Sequence, residues 1–332
     1  MFELPRPVLA PTPRDVIARF GTAQVLRFRP PAGVAPAGCA PILLVPSLIN
    51  RWYILDLREG ASLVAGLLAA GLDVYCLDWG VPEAEDRYLG WDDVLARLAR
   101  ATRVVRRNSG HTRVGVLGYC MGGTLTAIHA ALQPEEMAAL VLLAGPIDFA
   151  GGGLLRRMVD RRWFDADAVA DAGNVHPLQM QAGFVALRPT LDLVKLMSMP
   201  ELAIDPAARA AYLALEEWAQ DNIPFPAQAY RTYIRQLYQD NELVAGEHVA
   251  RGRRVHLSRI SCPTMVIVAE RDTICPAPAA TALCQRVGTR DSQVLSVPGG
   301  HVGAVVGSKA SRVMVPALSA WLRDRLSSRP AA

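Results

Sequence analysis

Val116-Leu117-Gly118-Tyr119-Cys120-Met121-Gly122-Gly123-Thr124 is the stretch that decides the fold of this chain. An apolar run enters it and a helical pattern over residues 124–132 leaves it. It has the form G-x-C-x-G-G. In the serine counterpart, G-x-S-x-G, the nucleophile sits on a strained turn between a parallel strand and a helix. That geometry explains the glycines. Strand and helix approach so closely that side chains two residues either side of the nucleophile would collide, so Gly118 and Gly122 are required there. The helix beginning near Met121 aims free N–H groups at the thiol, which favours a thiolate and a developing oxyanion. A glycine-rich corner packing a small cysteine is the plainer reading. The strand before and the helix after weigh against it.

Outward from this turn, Pro41-Ile42-Leu43-Leu44-Val45-Pro46 is a continuous apolar run closed by proline, as in a strand buried on both faces. Residues 73–79, 113–118 and 138–144 repeat the pattern, with helical spacing at 62–70 and 91–107 between them. Such alternation implies right-handed βαβ crossovers and a parallel sheet. From about 151 to 255 no strand pattern is found; prolines, helical spacing and the aromatics Trp163, Phe164, Phe184, Trp218, Phe225, Tyr230, Tyr233 and Tyr238 take over. Strands resume at 263–269 and 292–297, and a last helix spans 313–326. The expected fold is therefore α/β: an α/β-hydrolase fold with a mainly parallel central sheet and an inserted helical cap. The expected boundaries are an N-terminal arm over 1–40, a core over 41–150 and 256–332, and the cap over 151–255.

In this fold the partners follow in the order nucleophile, acid, base. Asp272 lies just past the strand at 263–269, where a carboxylate reaches the catalytic edge of the sheet, and His301 follows the next strand in Gly299-Gly300-His301-Val302-Gly303. A turn-forming Asp and a surface His are the bland alternatives. His111, His129, His176, His248 and His256 lie at the wrong edge, inside the helix after the turn, or in and beside the cap, and read as structural. Cys120 is then the nucleophile, His301 its base and Asp272 the group that fixes the imidazole. The N–H of Met121 gives half of an oxyanion hole. Leu48, after the strand at 42–45, is chosen for the other half, with Ser47 and Asn50 as alternatives in the same loop. A thiol exchanges with thioesters at little free-energy cost, which favours acyl transfer over hydrolysis.

The bulk numbers set limits. A net charge of +4 is too small to imply nucleic acid as a partner. Arginines cluster locally at 103, 106 and 107, at 156, 157, 161 and 162, and at 251, 253 and 254. They read as solvated faces or, more sharply, as contacts to an anionic thioester such as coenzyme A. No apolar run reaches the about 18 residues of a transmembrane segment, and no signal peptide pattern opens the chain. The six cysteines form no CxxC pair and no His stands at zinc-like spacing, so neither metal nor disulfide framework is expected. A reducing cytosol fits that usage.

Several segments together carry a family resemblance over roughly residues 40–320. Leu43-Leu44-Val45-Pro46-Ser47-Leu48-Ile49-Asn50-Arg51-Trp52-Tyr53-Ile54-Leu55-Asp56-Leu57 resembles a signature of the polyhydroxyalkanoate synthases. So do Asp73-Val74-Tyr75-Cys76-Leu77-Asp78-Trp79-Gly80, the cysteine turn itself, Asp221-Asn222-Ile223-Pro224-Phe225-Pro226 with Ala229-Tyr230-Arg231, and Gly300-His301-Val302-Gly303. Ser47 departs from the family, which has a second proline there, and residues 145–167 match only loosely after Phe149. The resemblance implies an acyltransferase that polymerises (R)-3-hydroxyacyl-CoA, such as 3-hydroxybutyryl-CoA, into polyester with release of coenzyme A. It implies Cys120 carrying the chain as a thioester, His301 activating the thiol and Asp272 assisting the 3-hydroxyl of the incoming unit. No metal or bound cofactor is implied. By length the chain is similar to the shorter class III or class IV catalytic subunits, class III being the better match. These work with a second, non-catalytic subunit, dimerise through the cap and reside in the cytoplasm at the surface of polyester granules. The competing expectation is a cysteine hydrolase, similar to dienelactone hydrolases (whose elbow also carries Tyr before Cys) or to acyl-CoA thioesterases. The large aromatic cap separates the two. A scaffold that keeps the fold without catalysis is disfavoured by the intact trio.

Overall fold

Ile42–Val45 shows how the sheet is built. Ile42 and Leu44 pack on one face with Leu63, Leu67, Leu318 and Leu322, and Leu43 and Val45 pack on the other with Leu98, Leu125 and Ile128. Alternate side chains of a strand point to opposite faces, so a strand covered on both sides must be apolar throughout. The computed structural model describes residues 7–187 and 204–327. In it this strand is β3 of eight: β1 (Arg14–Phe20), β2 (Ala23–Phe28), β3 (Ile42–Val45), β4 (Val74–Asp78), β5 (Val114–Tyr119), β6 (Met137–Leu143), β7 (Thr264–Ala269) and β8 (Ser292–Val297). Their spatial order is β1-β2-β4-β3-β5-β6-β7-β8, and β3 to β8 run parallel. Helices α1 (Leu63–Ala69), α2 (Trp91–Ser109) and α3 (Met121–Leu132) make the crossovers, and Val315–Leu326 packs beside α1.

Two expectations are corrected. Residues 14–28, read as part of an arm, form an antiparallel hairpin whose second strand pairs with β4. β1 is an edge strand, largely exposed and bearing Arg14, Asp15 and Arg19. Charges on an edge deter pairing with other chains, and they also blunt the apolar signal of a strand. Between β6 and β7, Val249–Ala250 and Arg253–Arg254 form a ladder too short to leave any periodicity.

The other regular elements described between β6 and β7 are mainly helices, including Pro177–Ala186, Pro206–Gln220 and Ala227–Thr232, the last continuing as a π-helical stretch over Tyr233–Gln239. Aromatic contacts fasten it to the core. Tyr233 stacks on Trp91 with centroids 5.6 Å apart, and Tyr238 meets Phe149 edge-on at 4.8 Å. Asn241 adds a polar tie, accepting from the Phe149 N–H and donating to Asp148. Trp163 takes no part and is 61% exposed.

Candidate active site

The turn after β5 has the strain its sequence implies. Cys120 adopts φ +55°, ψ −125°, a left-handed conformation that L-residues rarely hold. It is pinned there by hydrogen bonds from its N–H to the Leu143 carbonyl (3.0 Å) and from the Gly123 N–H to its own carbonyl (2.8 Å). A Cβ on Gly118 would stand 2.3 Å from the Gly122 carbonyl oxygen, and one on Gly122 would stand 2.1 Å from that of Val45. Both glycines are therefore obligatory. The second contact also presses the loop after β3 against the elbow. Leu48 lies in that loop, its side chain buried in the same core as that of Met121, the first residue of α3.

Asp272 and His301, 29 residues apart, meet: His301 Nδ1 is 2.7 Å from Asp272 Oδ2. The other carboxylate oxygen accepts the N–H groups of Ile274 and Cys275, each at 2.8 Å. Both side chains are buried, that of Asp272 completely. The carboxylate orients Nδ1–H and so leaves Nε2 as the working nitrogen. Burial alone drives the His301 pKa down, but the Cys120 sulfur and the Asp272 carboxylate overcome it and hold the value at about 10. The ring also leans on Tyr119, centroids 5.3 Å apart. An imidazolium beside a cysteine sulfur at a helix N-terminus is an arrangement suited to nucleophilic attack on an acyl carbon.

Cys120, Tyr119 and His301 open onto a cavity of about 710 Å³, walled by Leu57, Leu215, Val302 and Val306 among others. The polar residues around it include Asn50, Asn222 and Arg58. None of the clustered arginines lines it. Arg161 and Arg162 pair with Asp240 and Asp160, Arg253 donates to the Leu132 carbonyl at the far end of α3, and Arg103 and Arg251 act on His129 there. Four of the other histidines have structural partners: His129 with Thr102, His248 with Glu242, His111 with the Ser109 carbonyl, and His176 capping Pro177–Ala186. Among the described residues no group of three ligating side chains is placed to hold a metal ion, and no helix is long and apolar enough to cross a membrane.

Comparison with known proteins agrees with the geometry. The family described as alpha/beta hydrolase fold matches residues 40–307. Solved structures share the fold: a hydrolase from Pseudomonas aeruginosa PA01 (TM-score 0.57, 17% identity, 93% of this chain and 98% of that one) and a thermophilic esterase from Thermogutta terrifontis (TM-score 0.52, 16% identity, 95% and 100%). The poly(3-hydroxyalkanoate) polymerase subunit PhaC of Allochromatium vinosum is 33% identical over 318 residues, 95% of this chain and 89% of the relative. The chain belongs to the PhaC polymerase family. The PhaC subunit of Haloferax mediterranei is 34% identical and that of Cupriavidus necator 31%, but the chain spans only 64% and 56% of their lengths. The PhaC N-terminus, described as that of poly-beta-hydroxybutyrate polymerase, matches residues 2–67, which include the hairpin and β3.

In this PhaC-family chain the segment around Asp221 has a definite task. It staples the helical segment to the loop after β3. The Trp218 indole N–H donates to the Arg51 carbonyl (3.0 Å), the Tyr53 hydroxyl to Asp221 (2.7 Å) and the Ile223 N–H to the Ile49 carbonyl (3.2 Å). Asn222, which also bridges to Asn50, was marked in the sequence only as part of that segment, with no role of its own. Arg58 was not either; it follows Leu57 with no motif to mark it.

Proposed function

We propose that this chain is a catalytic subunit that polymerises (R)-3-hydroxyacyl-CoA, with 3-hydroxybutyryl-CoA as its substrate, through a thioester on Cys120. The observation that carries the reading is the strained Cys120 facing a cavity beside an imidazole braced by a buried carboxylate. The Cys120 thiolate attacks the acyl carbonyl carbon, with Met121 and Leu48 N–H groups stabilising the oxyanion. The C–S bond to coenzyme A breaks, and the leaving thiolate takes the imidazolium proton of His301. Neutral His301 then accepts the proton of an incoming 3-hydroxyl, whose oxygen attacks the Cys120 thioester. An ester forms, Cys120 leaves as thiolate and the ion pair is restored. The lengthened chain, now on the coenzyme A of the incoming unit, re-acylates Cys120 by the first step.

Asp272 acts on the hydroxyl through His301 in this scheme. Its side chain is fully buried and both oxygens are already engaged, which leaves substrate no approach to it. Residues 151–255 serve as the cap, set between the two core segments 41–150 and 256–332. A second synthase subunit, a second copy bound through the cap, and the surface of a polyester granule are the assembly and setting assigned to the chain.

The test incubates purified protein with (R)-3-hydroxybutyryl-CoA, with and without a second synthase subunit, and measures released thiol together with insoluble polymer. Thiol and polymer are expected to rise together. Thiol release that yields only free 3-hydroxybutyrate would mean a cysteine hydrolase and sink the reading. Cys120→Ser should lose most transfer activity; an unchanged rate would remove Cys120 from the mechanism.

A further inference from the structure

We propose that Asn50 reads the hydroxyl of the acyl group, so that the cavity takes 3-hydroxyacyl thioesters in preference to plain acyl thioesters of the same length. The inference rests on the acyl-CoA reading above and deepens it by naming a specificity-determining residue. Hydrogen-bond valences leave one amide oxygen of the pair unused. Asn222 Nδ2 donates to the Ala219 carbonyl at 3.0 Å, which fixes the nitrogen end of that amide. Its oxygen then accepts from Asn50 Nδ2 at 2.5 Å. The orientation of Asn50 follows from that of Asn222: the nitrogen faces its partner, and the oxygen is left over. Among the described residues Asn50 Oδ1 has no protein donor, and Asn50 lines the cavity with Cys120 and His301. A backbone bridge between Asn50 and Asn222 holds both amides in place.

An acceptor held rigidly beside apolar walls selects its occupant. Water satisfies it while the cavity is open. A plain acyl chain displaces that water and returns no donor, whereas a 3-hydroxyacyl chain replaces it with its own O–H, two carbons from the thioester carbonyl. A site built around a substrate hydroxyl rejects the analogue that lacks it, because a polar group is then left unpaired. Asn50 lies two residues beyond Leu48, in the loop pressed against the elbow, and shares the cavity with Cys120.

The experiment measures single-turnover release of coenzyme A from (R)-3-hydroxybutyryl-CoA and from butyryl-CoA by the full chain, and reads only the ratio of the two rates. Wild type is expected to favour the hydroxyacyl substrate by about tenfold or more. Asn50→Leu, close in shape but without polar atoms, brings the ratio near one. Asn50→Asp, which keeps an acceptor, retains a preference. Should the leucine variant fail to fold, Asn50→Ala decides in the same way, since it preserves the backbone bridge. A wild-type ratio in either apolar variant overturns the proposal, whether or not both rates fall, because a residue that only positions the loop slows both substrates alike. Wild type that releases no coenzyme A from either substrate overturns the acyl-CoA reading instead.

Discussion

Helix α3 has a buried histidine at each end, and the two are driven in opposite directions. At its N-terminus His301, carried by the loop after β8, faces Cys120 of the elbow; in its last turn His129 sits inside the core, Nε2 at 3.2 Å from Thr102. Both rings are buried, and burial alone pulls both pKa values down. At the elbow the Cys120 sulfur and Asp272 reverse the effect and bring His301 to about 10. At the far end Arg251 and Arg103 add to it and take His129 to about 3. Burial therefore does not decide the charge of a histidine; the sign of its neighbours does. The same contrast holds for the backbone. Cys120 is left-handed and glycines crowd the N-terminal end, while no residue of the last turn has a positive φ.

The widest gap between the two ends should appear on removing the charged ring. His301→Gln is expected to lower coenzyme A release about 10³-fold, the upper-middle range for a lost general acid–base group. The His301 pKa is raised, so the imidazolium persists above the ordinary value near 6.5 and is lost only towards about 10. Histidine ring resonances followed by NMR should therefore show, in wild type, one imidazole still charged at pH 8 that is missing from the variant. A wild-type spectrum in which every ring is neutral by pH 8 would break the contrast. Next in size, Gly122→Ala forces a Cβ onto the Val45 carbonyl and should cost about 3–4 kcal/mol in urea unfolding. A loss below about 1 kcal/mol, the ordinary range for a tolerated substitution, would show that the elbow yields.

How much of this the sequence disclosed follows from the range of the contacts. The elbow is local: strand, glycines, cysteine and helix occupy nine consecutive residues, and Asp272 and His301 each sit just past a strand in the expected order. The parallel strands were legible because burial on both faces leaves uninterrupted apolar runs. The edge hairpin was not, because solvent and charge erase that pattern from β1. Nor was the Asn50–Asn222 pair, whose members stand 172 residues apart. The arginine clusters, read as solvated faces or as contacts to an anionic thioester, also depend on long-range placement. Their proximity in sequence is real, but the fold directs those of α2 and the 249–254 hairpin to the end of α3 away from Cys120.

That far end supplies the smallest and most specific test. Thr102 donates its hydroxyl to the Leu98 carbonyl (3.1 Å), so it accepts from His129 Nε2–H, and the ring is held neutral. The folded pKa of about 3 lies below the unfolded value of about 6.5, so the native state binds fewer protons than the unfolded chain. The stability this protects is fully present above pH 6.5 and drains away as pH falls towards 3. At pH 5 the loss from this one group is roughly 2 kcal/mol by linkage. His248, buried and lowered to about 4 chiefly by burial, runs with the same sign and adds a comparable loss. His301 is raised, so its contribution is fully present below about pH 6.5 and fades as pH rises from there towards about 10, the opposite sign. His129→Gln keeps a side-chain N–H for Thr102 but cannot titrate. Urea unfolding at pH 7 and pH 5 should show its acid-induced loss to be smaller than that of wild type by roughly 2 kcal/mol. An unchanged pH slope would mean that His129 is charged in the folded protein, and the two ends of α3 would no longer differ in the way their neighbours require.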